Sequence, residues 1–107
     1  MSSFDDRERG YEAKFAHDQE LNFRILARRN HLLGVWAGEL LGYHGGELAH
    51  YADTVISADL TEPGDDDVLQ KIAKDFSERH IAKSTIEIRA EMEQLYSVAK
   101  REVLTGE

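Results

Sequence analysis

Apolar residues recur along this chain at intervals of three and four. Between Leu21 and Leu41, the residues Leu21, Ile25, Leu26, Leu32, Leu33, Trp36, Ala37 and Leu40 gather on one broad face at about 100° per residue, which predicts a core-facing helix. Gly42, Gly45 and Gly46 supply its stop, because glycine takes the left-handed C-terminal conformation without steric cost. A second helix is predicted from about Glu47 to Leu60, with Leu48, Tyr51, Ala52, Val55 and Ile56 on its buried side. The stretch "TEPGDDD" ends it, since Pro63 disfavours helix at the residue before it and Gly64 frees the turn. Asp65 or Asp66 can then accept a hydrogen bond from the next helix's free N–H groups. That third helix carries Val68, Leu69, Ile72 and Phe76 and fades near His80. In "STIE", Ser84 and Glu87 have capping-box spacing, and Ile88, Met92, Leu95, Tyr96, Ala99 and Val103 follow at helical period. No β-alternation or internal repeat competes. The fold class is all-α, a four-helix bundle of antiparallel neighbours.

The opening stretch fits that bundle poorly. In "FDDRERGYEAKF", Phe4, Tyr11 and Phe15 lie within about 40° of each other on a helical wheel, in a stripe only one residue wide. A first helix starting at Ser3 would reach about 57 Å, against roughly 20 to 30 Å for the others. Nothing else in the chain is long enough to cover it. The expectation is therefore a flexible N-terminal arm, residues 1–18, ahead of a four-helix domain, residues 19–107. The arm is marginal as an isolated helix, and Gly10 costs roughly 1 kcal/mol relative to alanine. It can become helical on binding and lay its aromatic stripe in a partner's groove. Ser3 can cap it, Asp5 and Asp6 suit its first turn, and Asp5 with Arg9 and Lys14 with Asp18 are i,i+4 pairs.

Charge narrows the choice of partner. Twenty-one acidic against thirteen basic residues give a net charge of −8, which repels nucleic acid. With no cysteine there is neither a disulfide framework nor a thiolate metal site, and no uncharged run approaches a membrane span. The N-terminus lacks the pattern of a secretory signal, so a cytoplasmic location is expected, without direct membrane insertion. His44, Glu47 and His50 read as loop and surface residues rather than a metal site, and the consecutive Asp65, Asp66 and Asp67 lack the alternation of a calcium loop. No serine has a histidine or acid at a spacing that suggests a relay, so the protein is read as a non-enzyme that needs no cofactor. Arg24, Arg28 and Arg29 form the one basic cluster, read as a solvated helix edge; Arg28 and Arg29 are candidate anion-binding residues.

"FDDRERGYEAKFAHDQELNFR", followed by "ARRNHLLGVWAGELLG", resembles the N-terminal half of the zeta subunit of bacterial F-type ATP synthases. The similarity extends through "DVLQKIAKDF" and "EIRAEMEQL". The resemblance implies an inhibitor that inserts its N-terminal helix between catalytic alpha and beta subunits near the gamma rotor and blocks hydrolysis. It also implies peripheral attachment to the inner membrane through that enzyme. The partner contacts carried over are Phe4, Asp5, Asp6, Arg7, Glu8, Arg9, Tyr11, Glu12, Lys14 and Phe15. The free protein is expected to be a monomer. Where the family pattern suggests alanine this chain has Gly10, and Gly38 similarly interrupts the tryptophan helix; both are read as weakening it. The rival readings are a nucleotide- or anion-binding helical module and an adaptor docking its arm on another protein.

Overall fold

The computed structural model describes residues 3–58 and 65–106, with side chains from Asp18 onward. Four helices make up the described chain: α1 (Ser3–Leu40), α2 (Gly46–Ala58), α3 (Asp66–Glu78) and α4 (Thr85–Thr105). α1 passes residue 18 without a break. Its 38 residues amount to about 57 Å, while α4, the next longest, reaches about 32 Å. The side chains of Phe4 to Phe15, and the mobility expected of the arm, lie outside the described residues. So do Leu60, Pro63 and the rest of the predicted turn between α2 and α3.

The core forms where α1 meets the three shorter helices. Ile25, Leu33 and Ala37 on α1 and Leu41 just past its end are buried, a row spaced in multiples of four that advances about 40° per four residues around the helix. By the end of α1 this drift has turned the buried face to Leu41, and Leu40, expected in the core, is 38% exposed. Tyr51 and Val55 of α2, Val68, Leu69, Ile72 and Phe76 of α3, and Ile88 and Met92 of α4 complete the cluster. Trp36 is half-buried and meets Phe76 edge to face, with ring centroids 5.8 Å apart.

Gly38 does not interrupt the helix. A Cβ at Gly34 would lie 2.7 Å from the Cα of Ala52, and one at Gly38 would lie 2.5 Å from Leu48 Cδ1. These two glycines, one turn apart, form the notch in which α2 sits. At Gly34 the lost helix propensity is offset by an approach of the Ala52 backbone that a side chain would block, and at Gly38 by space that the Leu48 and Tyr51 side chains fill.

α1 and α3 end in the same way. Tyr43 N–H donates to Gly38 O (2.9 Å) and Gly42 N–H to Glu39 O (3.0 Å), with Gly42 at φ 92°. At the end of α3, Ile81 N–H donates to Phe76 O (2.8 Å) and His80 N–H to Ser77 O (3.3 Å). Both are Schellman closures. In the second, His80 takes the left-handed conformation at φ 59° that glycine takes in the first. α4 starts on Ser84, whose hydroxyl accepts from Glu87 N–H at 3.2 Å. The Glu87 carboxylate reaches back to the Ser84 hydroxyl rather than to its backbone N–H, accepting at Oε1 at 3.4 Å, while its Oε2 lies 3.5 Å from Lys83 Nζ.

Candidate functional site

Two places on the described surface have built chemistry: the mouth of the bundle, where α1 leaves it, and a cleft at the opposite end of α1.

At the mouth, the side chains of Asp18, Gln19, Glu20, Asn22, Phe23 and Arg24 are exposed, Leu21 is half-buried, and Ile25 is the first buried residue among the described side chains. Arg24 pairs with Glu20 at 2.7 Å along the exposed helix. Arg28 donates from Nε to Glu102 in the last turn of α4 at 2.6 Å. Arg29 is not on a solvated edge; it is 2% exposed, the opposite of the sequence expectation. Its Nη2 lies 2.9 Å from Asp65 Oδ1, and its Nε and Nη2 donate to Asn30 Oδ1 at 2.9 and 2.8 Å. Burying a guanidinium is tolerable only with such partners, since an unpaired buried charge carries a desolvation penalty of several kcal/mol. Asp65 precedes α3 as expected of a cap, yet its side chain makes no capping bond, because the carboxylate is turned to Arg29. The two candidate anion ligands thus each hold a carboxylate of this chain. A small cleft of about 310 Å³ adjoins Arg29, lined also by Leu26, Asp65, Arg89, Met92, Glu93 and Tyr96.

The larger cleft, about 580 Å³, lies among the α1–α2 turn, α2 and α3. Tyr51 donates its phenol to Asp75 Oδ2 at 2.7 Å, and Lys71 donates to the same oxygen at 3.0 Å with its ammonium 5.0 Å from the centre of the Tyr51 ring. Tyr43 packs against Tyr51 with the rings tilted by 39° and their centroids 5.5 Å apart, and accepts a hydrogen bond from Arg79 at 2.9 Å. Burial pushes the Tyr51 phenol well above its ordinary range, and the hydrogen bond and charge of Asp75 add to the shift. The phenol therefore stays protonated as a donor. This network is not visible in the sequence because Tyr51 and Asp75 are 24 residues apart; His50, on the same wall, is exposed, as expected of a surface residue.

Neither place gathers a metal site, for no group of three or more His, Asp or Glu among the described residues could hold an ion. No helix among them is long and apolar enough to cross a membrane.

A bundle whose first helix is nearly twice as long as any other defines a class: a small helical protein with one projecting element. The sequence matches the family ATPase inhibitor subunit zeta over residues 1–102, and the chain belongs to that family. No match is found among curated proteins. A protein solved in solution by NMR is similar, with 37% identity and a TM-score of 0.71 over 81% of this chain and 99% of that one. The family name makes the chain an ATPase inhibitor subunit.

Proposed function

We propose that the chain inhibits ATP hydrolysis by F-type ATP synthase, inserting the start of α1 at a catalytic interface of alpha and beta subunits beside the gamma rotor. The bundle tethers it. One observation supports this most: α1 is a single helix of 38 residues, and no other helix among the described residues is long enough to cover it. Phe4, Tyr11 and Phe15 are the anchors of the proposed contact, with the charged residues Asp5, Asp6, Arg7, Glu8, Arg9, Glu12 and Lys14 around them.

The test is ATPase activity of the isolated catalytic complex with full-length protein and with residues 1–18 deleted. The truncated chain keeps every buried residue from Ile25 onward, so it folds, and its inhibition is lost. Tyr11→Ala and Phe15→Ala each weaken binding by about 2 to 4 kcal/mol, the scale of anchors at an interface centre. Full inhibition by the truncated chain moves the active surface to the bundle.

The larger cleft favours a second reading, a small-molecule module, since its size and its few convergent polar groups suit a ligand. Titrating nucleotide while following Trp36 fluorescence tests it, because Trp36 contacts Phe76, the neighbour of Asp75 on the cleft wall. An unchanged spectrum ends that reading.

A further inference from the structure

We propose that Arg28 and Arg29 are positioning residues that fix the direction in which α1 leaves the bundle, and so aim the inhibitory arm; the inference rests on the arm reading above. Consecutive residues on a helix point about 100° apart, so the two guanidiniums brace α1 from two sides. One reaches the last turn of α4 through Glu102, the other the start of α3 through Asp65. Beyond them, among the described side chains, Ile25 is buried, Leu21 is only half-buried and the rest from Asp18 to Arg24 are exposed. From Asp18 to Arg24 the helix has one described ion pair, and that pair lies within the helix itself.

Stability does not explain why a charged side chain occupies the core position of Arg29. A hydrophobic residue of similar volume is commonly as good or better, and a buried ion pair is better suited to specifying one geometry. Geometry matters here because the helix acts as a lever. From Arg28 back to Ser3 is 25 residues, about 38 Å, so a tilt of about 10° at the clamp moves the tip by about 7 Å. That exceeds the width of a side-chain pocket. A clamp that removes this freedom before binding removes the same ordering cost from the binding step.

The experiment uses full-length protein carrying Arg28→Glu, Glu102→Arg, or both. Each single variant is expected to inhibit the isolated catalytic complex about fivefold less strongly, near 1 kcal/mol, and the double variant, with the pair reversed, to recover to within about twofold. The chain has no cysteine, so spin labels placed through Gln19→Cys and Gln70→Cys report the angle between α1 and α3. The distance distribution should broaden in each single variant and narrow again in the double. Asp65→Asn, which weakens the second brace from a half-exposed site, should broaden it as well. Unchanged potency and unchanged distances in Arg28→Glu overturn the clamp while leaving the arm reading intact. Lost potency with unchanged distances also overturns it, since Arg28 would then touch the enzyme directly. If deletion of residues 1–18 leaves inhibition whole, the arm reading falls and the clamp falls with it.

Discussion

From Ile25 to Ala37, α1 carries a row of buried side chains, continued by Leu41 just past its end, and its two glycines admit α2. From Asp18 to Arg24 it buries no side chain fully and is crossed by one exposed pair, Glu20 with Arg24. The backbone is helical through both, for different reasons. The inner half is helical because packing selects it, even against the propensity of Gly34 and Gly38. The outer half extends a helix that is already nucleated, so each added residue faces only the propagation step and not the unfavourable first turn. A projecting arm thus needs an embedded partner half, and residue types carry different meanings on either side of Ile25.

Two phenylalanines break or sharpen this contrast most. Phe76 is 1% exposed in the core, and Phe76→Ala should cost about 3 to 5 kcal/mol in urea unfolding. Phe23 is 59% exposed on the outer half, and Phe23→Ala should stay within about 0.5 kcal/mol. Comparable losses would mean that the outer half is packed after all.

Glycine supplies the next test. Gly34→Ala forces a methyl group against the Ala52 backbone and should lower stability by about 2 kcal/mol, measured as a shift in the urea midpoint.

The Tyr51 phenol probes how deep the inner half's surroundings are. Removing its hydrogen bond to a carboxylate in Tyr51→Phe should cost about 1.5 kcal/mol at pH 8. Because the folded state holds this proton more tightly than the unfolded state, the contribution is complete below the ordinary tyrosine value near 10. It falls as pH rises further, by about 1.4 kcal/mol per unit. Urea midpoints at pH 8 and 11 should therefore converge for wild type and Tyr51→Phe; parallel curves would show that the proton is not held.

The smallest effect has the opposite sign. Gly10 lies in the outer half, and Gly10→Ala should add up to about 1 kcal/mol of helix propensity, giving roughly fivefold tighter inhibition. Weaker inhibition from a more helical arm would mean that the partner's backbone needs the space.

Much of this fold is legible in the sequence where the signals are local. The four helices, the Ser84 cap and the glycine stop at Gly42 depend on residues within a turn of each other, and most of the core follows from periodicity. What stayed hidden depends on distant partners. Arg29 reads as a surface residue because Asp65, which permits its burial, is 36 positions away. Gly38 reads as a defect because its use lies in Leu48 and Tyr51 on another helix, and the use of Gly34 lies in Ala52, equally far from any local signal. Leu40 reads as a core residue only if the buried face runs straight along α1, whereas that face winds around the helix and ends at Leu41.

The length of α1 also sets how the protein moves through solution. Its radius of gyration is 17.4 Å and its extents are 65 × 25 × 21 Å, whereas a compact chain of this length has a radius near 13 Å. A single copy therefore meets more drag than a sphere of its mass, emerging early from a sizing column and sedimenting slowly. Calibrated against globular standards, a monomer would pass for a larger assembly, so its stoichiometry has to be read from light scattering or sedimentation equilibrium, where mass counts and shape does not.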